Sequence, residues 1–255
     1  MRMKTPLHIA RLLQILVLAC WAEGVTAQQF AGDNQWVAPH GVATLVATAG
    51  EEYSQLMAVA ALLPEWEFNL QLTHNYDDPR DDSGSYTATN IYFKRRLKQS
   101  EDEKSGYAVL FGTGLFPEHR EQGQVSNALT SWWATGVATY KLDRDGQVLL
   151  DVLPGIAVNT DPDNSDDTSW GFTYTSRLAV YGLIPQSAVV GEVFGTAGEA
   201  YAEPAYRIGV RWESRKWVAA LTYSDAFDGS GGAGIEFGLM YFTEPRFCMG
   251  GCRRR

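Results

Sequence analysis

Cysteine is scarce, with three residues in 255 at positions 20, 248 and 252, too few for a scaffold built on disulfides. Histidine numbers four, and no Cys/His spacing makes a metal site. Past Ala27 no apolar run approaches 18 residues, which excludes membrane-spanning helices. Positive charge is short as well: 21 Lys and Arg stand against 30 Asp and Glu, a net charge of −9. Such an acidic chain without a basic patch excludes nucleic acid as a partner. Helical periodicity is almost absent over roughly the last 200 residues, leaving one large β domain as the expectation.

What is present begins with an export leader. Arg2, Lys4 and Arg11 precede or enter an apolar stretch from Ile9 to Cys20, and Val25-Thr26-Ala27 offers small residues for cleavage after Ala27. The apolar stretch is far short of the ~20 residues a spanning helix needs. Residues 1–27 carry Arg2, Lys4 and Arg11 against Glu23, a balance of +2, so the remainder carries −11. Val17-Leu18-Ala19-Cys20 also resembles a lipoprotein box that would lipidate Cys20, although Leu18 is bulky for its place.

From there the pattern is period-two alternation. Tyr206, Ile208, Val210 and Trp212 fall opposite Arg207, Gly209, Arg211 and Glu213; Trp66, Phe68, Leu70 and Leu72 fall opposite Glu67, Asn69, Gln71 and Thr73. Ile235, Phe237, Leu239 and Tyr241 repeat it. About twelve strands follow, near 41–48, 55–63, 65–75, 85–97, 106–116, 131–142, 146–159, 170–183, 188–196, 204–213, 216–224 and 233–243. Most reach the nine or so residues that a tilted strand needs to cross a bilayer. Tight turns at Pro64-Glu65, Asp143 to Gly146, Ile184 to Ser187 and Ser214-Arg215 alternate with longer connections at Tyr76 to Gly84, Pro117 to Thr130, Thr160 to Ser169, Ala197 to Glu203 and Ser224 to Gly232. Gln99 to Ser105 is long for a tight turn. Short periplasmic turns and long external loops characterise outer-membrane barrels. Trp66, Tyr107, Tyr140, Trp212, Trp217 and Tyr241 gather at the short-turn ends, and Trp132, Trp170, Phe172 and Tyr223 near the others, as interfacial girdles do. The fold expected is an all-β antiparallel transmembrane β-barrel over residues 28–243, followed by a basic tail at 244–255, in the outer membrane of a Gram-negative bacterium.

Parity then places Glu67, Asn69, Gln71, Asp151, Arg177, Glu192, Arg207, Arg211 and Glu236 on the lumen wall, because a charge facing lipid at mid-bilayer costs about 2–4 kcal/mol. Two readings are open: a pore in which a basic strip of Arg177, Arg207 and Arg211 faces Glu67 and Glu236, or an ion-paired plug. Twelve strands lie between the filled eight-stranded barrel and the aqueous sixteen-stranded channel.

The run Thr89-Asn90-Ile91-Tyr92-Phe93-Lys94-Arg95-Arg96-Leu97 is followed by Gly106 to Pro117, a strand of small and apolar residues closing on Leu115-Phe116-Pro117. With the strand from Leu149 to Asn159 and its acidic loop, this pattern resembles the outer-membrane β-barrel proteins of the meta-pathway of phenol degradation family, which are transporter-like. The resemblance spans about 40–243 and implies uptake of small, including aromatic or hydrophobic, molecules. The terminal strand Glu236 to Phe242 is similar to the assembly signal of such barrels, though Thr243 to Arg255 follow it. Expected partners are outer-membrane lipids including lipopolysaccharide, the barrel-assembly machinery and a small-molecule solute.

Other chemistry is thin. The loop from Asp161 to Asp167 sets oxygens at alternate positions as calcium loops do, but Asp166 stands where such loops need glycine and Phe172 where they need glutamate. Asp77, Asp78, Asp81 and Asp82 form a second acidic cluster. A hydrolase needs a base beside its nucleophile; His74, followed by Asp77 and Asp78, is the one pairing of that kind. A solvated acidic loop and a non-catalytic barrel without metal or cofactor are the expectation. Cys248 and Cys252 would join in an oxidising compartment or remain tail thiols.

Overall fold

The computed structural model describes residues 33–76, 84–114, 128–160, 168–199, 202–229 and 232–249. The leader, Cys20, Cys252, the acidic cluster at 77–82 and the loop at 161–167 lie outside them. Twelve strands are formed: β1 (Ala43–Gly50), β2 (Tyr53–Leu63), β3 (Trp66–Asn75), β4 (Tyr86–Gln99), β5 (Gly106–Thr113), β6 (Ser131–Lys141), β7 (Val148–Asn159), β8 (Ser169–Tyr181), β9 (Ser187–Gly198), β10 (Ala202–Glu213), β11 (Trp217–Ala226) and β12 (Gly234–Phe242). Each pairs antiparallel with its neighbour in sequence, and β1 pairs with β12 from Thr44↔Phe242 to Gly50↔Glu236, closing the barrel. No strand edge is left unpaired, which is the condition for putting strands into lipid. Among the described residues no helix is long and apolar enough to cross a membrane.

Side chains invert the arrangement of a soluble sheet. On β10, Ile208 is 55% exposed and Val210 48%, whereas Arg207 and Arg211 are buried. Leu56, Leu70, Phe111, Leu178, Leu221 and Phe237 extend the exposed apolar band around the barrel. Water would not tolerate so large a continuous apolar surface on a monomer; lipid would. Aromatic pairs flank the band: Tyr107 with Tyr140 (6.4 Å) and Trp217 with Tyr241 (4.6 Å) at one end, Trp170 with Phe172 (5.4 Å) at the other.

The end of the barrel where β1 begins and β12 finishes is here called the terminal end; the opposite is the loop end. Terminal-end turns are tightly built. Glu65 takes a positive φ of 67° between β2 and β3. In the turn after β4, Ser100 N–H donates to the Ser105 carbonyl (2.8 Å) and the Asp102 carboxylate accepts from Ser100 Oγ (2.6 Å) and pairs with Lys141. Lys104 Nζ reaches the Asp145 carbonyl (2.5 Å), so this long turn is latched to the next one. Loop-end connections are less uniform than the sequence pattern suggests. Continued pairing, Ala49↔Ser54 and Phe172↔Ala197, carries the strands outward and shortens two of them to Glu51-Glu52 and to residues 199–201.

Candidate functional site

The terminal-end half of the lumen is filled. Residues 33–42, ahead of β1, turn into the barrel, burying Gln35, Trp36, Val37, Ala38 and Val42. Polar contacts hold this segment to the wall. Gln35 N–H donates to Thr139 Oγ1 (3.0 Å) and its side-chain Nε2 to the Glu103 carbonyl (2.8 Å); Ala38 N–H donates to Glu67 Oε1 (2.7 Å). Lys94 on β4, wholly buried, donates to Asp33 Oδ1 (2.8 Å) and to the Trp36 carbonyl, and lies 3.7 Å from Glu67 Oε2. One ammonium thus bridges a carboxylate of the inserted segment and one of the wall. Around it, Trp36 stands edge-on to Phe242 (5.9 Å) in an apolar cluster that includes Val46, Val59, Leu110, Leu153 and Met240.

The tail after β12 straps this segment. Arg246 and Phe247 N–H groups donate to the Gly41 carbonyl (2.8 and 3.0 Å), and Met249 N–H to the Leu62 carbonyl (3.0 Å), which His40 Nε2 also approaches at 3.0 Å. Cys248 is disulfide-bonded; the chain's other cysteines lie outside the described residues.

On β7 to β12 the inward charges are paired locally. Asp151 and Arg177 face each other across β7 and β8; Arg177 Nε and Nη2 donate to Asp151 Oδ2 (2.9 and 2.6 Å), and Thr139 Oγ1 donates to Oδ1 (2.6 Å). Arg207 bridges Glu236 (Nε to Oε2, 2.7 Å) and Glu192 (Nη1 to Oε2, 3.2 Å) with its guanidinium over the Phe194 ring. Glu236 further accepts from the Tyr53 hydroxyl, Thr222 Oγ1 and Ser224 Oγ. Arg211 lies 2.6 Å from Glu213 and donates to the Tyr181 hydroxyl. All nine residues placed on the lumen wall by parity are buried there. The three arginines, however, form no bare strip: each has its own acid on the same or an adjacent strand, so no basic surface faces Glu67.

Beyond Glu67 and Lys94, towards the loop end, the inner face of β3 and β4 carries no formal charge, whereas on β12 Glu236 stands two residues inside the loop-end limit. Asn69, Gln71 and Thr73 on β3, Asn90 on β4, Thr135 on β6 and Thr173 on β8 are buried on the inner face. Gln71 Nε2 is satisfied by Gln55 Oε1 and Thr73 Oγ1, both at 3.2 Å. Asn69 Oδ1, both amide atoms of Asn90, and the hydroxyls of Thr135 and Thr173 have no hydrogen-bond partner within the protein. Sequence reasoning passed over Asn90, Lys94 and Glu213. The first two share the parity of Tyr92, opposite Ile91 and Phe93, and that alternation was the available signal; the run Lys94-Arg95-Arg96 masks it by looking like a basic strand end.

His74 is exposed, on the outer face, with Nδ1 3.1 Å from Thr87 Oγ1 and its ring edge-on to Tyr76; Asp77 and Asp78 lie outside the described residues. Among the described residues no group of His, Cys, Asp or Glu is placed to hold a metal ion.

No protein-family model matches the chain, and no curated protein matches it. Among solved structures it is similar to an outer membrane channel from Pseudomonas putida F1, with a TM-score of 0.52 and 12% identity over 86% of this chain and 99% of the channel. LpxR from Salmonella typhimurium aligns over 79% of this chain and all of its own, with 9% identity and a TM-score of 0.42. The chain therefore has the fold of an outer-membrane barrel, twelve antiparallel strands closed on themselves, in the architecture of the Pseudomonas channel.

Proposed function

We propose that this protein sits in the outer membrane of a Gram-negative bacterium and passes small solutes passively through its lumen, aromatic or hydrophobic ones among them. The observation that carries the reading is a set of buried polar groups on the inner wall without partners in the protein. Beside an apolar cluster and paired charges, Asn69 Oδ1, both amide atoms of Asn90 and the hydroxyls of Thr135 and Thr173 are of this kind. A barrel serving only as a rigid body has no use for buried polar groups without partners, because each costs about 1–3 kcal/mol. The similarity to a channel structure and the sequence resemblance to the phenol meta-pathway barrels support the same reading. The terminal end then faces the periplasm and the loop end the outside, with lipopolysaccharide and other outer-membrane lipids against the apolar band. The assembly machinery is the remaining partner. No residue is assigned a catalytic role and no cofactor is required; His74, the one candidate base, points away from the lumen.

Residues 33–42 close the terminal-end mouth, so passage requires this segment to shift. That closure favours a second reading, a non-transporting barrel with an ion-paired interior. Conductance and solute flux in liposomes separate the two. Transport gives flux of at least one class among small aromatics, sugars and ions above that of empty liposomes, raised when residues 33–38 are deleted. Flux equal to empty liposomes for every class, with and without the deletion, refutes it.

A further inference from the structure

On β3, β4 and β5 the register sets three outward rows towards the terminal end. Phe68, Phe93 and Phe111 form the deepest; Trp66, Arg95 and Val109 form the next; Lys98 stands opposite Tyr107 in the last, nearest the turns. A bulge between Arg96 and Lys98 makes the last row possible. Strict alternation would turn Lys98 to the lumen with Lys94, and the extra residue returns it to the outside, where it is exposed. The rings brace one another. Phe93 is stacked on Phe111 at 5.3 Å, Phe68 meets Phe93 edge-on at 5.3 Å, and Trp66 meets Phe111 edge-on at 6.5 Å. Above them the Arg95 guanidinium lies over the Trp66 ring, 5.2 Å from its centroid.

Two exposed cations thus crown a fixed apolar bed, and neither Arg95 nor Lys98 has an ion pair among the described residues. Lys141 and Lys216, at the same end, each hold a carboxylate. The acids nearest in sequence, Glu65, Glu101, Asp102 and Glu103, belong to the turns beyond the strands, and Asp102 is taken by Lys141. Rows two residues apart are about 7 Å apart along a strand, so the cations stand at headgroup level while the phenylalanine rings lie a step deeper, against lipid chains. A guanidinium and an ammonium suit a phosphodiester. A headgroup that also carries an ammonium would bring like charge to them.

Resting on the reading that the terminal end faces the periplasm, we propose that this sector of β3, β4 and β5 is a seat for one anionic glycerophospholipid of the periplasmic leaflet, selected over zwitterionic lipids with the same chains. Arg95 and Lys98 hold its phosphodiester, and an acyl chain lies along Phe68, Phe93 and Phe111.

The test offers the intact protein in detergent an equal mixture of phosphatidylglycerol and phosphatidylethanolamine with identical chains, and reads the retained lipid by native mass spectrometry. Phosphatidylglycerol should be enriched about tenfold on the wild-type barrel. Arg95→Gln with Lys98→Gln should bring the two lipids to parity. Arg144→Gln with Arg246→Gln, which removes the same charge from two exposed residues outside the sector, should keep the enrichment. All the changes are at exposed side chains, and folding is checked by the gel shift on boiling. No enrichment in wild type, enrichment unchanged in the Arg95 and Lys98 variant, or enrichment lost equally in the Arg144 and Arg246 variant overturns the proposal. Retention in detergent depends neither on flux nor on orientation, so its failure leaves the transport reading standing, and liposomes without flux leave the seat standing. Labelling of a Glu101→Cys thiol on intact cells by a bulky polyethylene-glycol maleimide would place the terminal end outside and overturn the leaflet assignment.

Discussion

Replacing Lys94 by Met should free the segment that closes the terminal end. The ammonium is wholly buried and holds Asp33 of that segment at 2.8 Å, its backbone at the Trp36 carbonyl, and Glu67 of the wall at 3.7 Å. Methionine matches the length of the stem but carries no charge, leaving Asp33 and Glu67 as neighbouring buried carboxylates. Removing one partner of a buried ion pair costs about 3–5 kcal/mol. Only the docked state bears that cost, because Asp33 regains water when the segment leaves. At 1.4 kcal/mol per tenfold change, the ratio of docked to released segment should fall by roughly two to three and a half orders of magnitude. A thiol placed at Val37, buried in the docked segment, reports the change when Cys248 and Cys252 are replaced by serine. Its rate of maleimide labelling should rise about a hundredfold or more in Lys94→Met, and the triple change Lys94→Met, Asp33→Asn, Glu67→Gln should bring it most of the way back. A rate within twofold of the parent, in a barrel that still shifts on boiling, would refute the reasoning.

The apolar band gives a second prediction. Ile208→Arg on the outer face should lose about 2–4 kcal/mol of folding stability in a bilayer and fold poorly into vesicles, while Ile208→Leu should fold as wild type; equal yields would show that this face does not meet lipid. The terminal-end turns give a pH prediction. Hydrogen bonds from Lys141 and Ser100 hold the Asp102 carboxyl well below its ordinary range, the Val148 N–H does so for Asp143, and Lys216 for Glu244. A lowered folded-state value means these contacts stabilise fully above the ordinary carboxylate pKa near 4 and are lost as pH falls through the lower folded values. The protection of the turn amides relative to free peptide should therefore be full at pH 5 and be lost only as the pH falls through the lowered folded values, whereas an Asp102→Asn variant should be less protected already at pH 5.

Strand number, parity and facing were legible because a closed barrel in lipid has no freedom about them: Ile208 cannot trade places with Arg207 without putting a charge in hydrocarbon. The aromatic pairs at the strand ends were legible for the same reason. Residues 33–42 were not. Asp33-Asn34-Gln35-Trp36-Val37-Ala38-Pro39 has no period, and what places it inside is shape and the distant partners Glu67, Lys94 and Thr139, none of which is local in sequence. The pairing of Arg207 with both Glu192 and Glu236 was equally hidden, since parity puts all three on one face but strand register decides which can touch. Loop lengths were read too generously at 49–54 and 197–203, where backbone pairing continues through residues that carry no strand signal of their own.

The seam between β1 and β12 has a consequence for how the molecule comes into being. Its register joins residues about 200 positions apart, a contact whose chain-closure cost is among the largest a single domain of this size can incur. It therefore forms last, after the neighbouring hairpins have zipped in order around the wall. Residues 33–42 are covalently continuous with β1 and cannot find Glu67, Lys94, Thr139 and Phe242 together until β1 meets β12. Sealing the wall is thus a condition for stoppering its mouth: the segment completes its contacts only once the seam between β1 and β12 has closed.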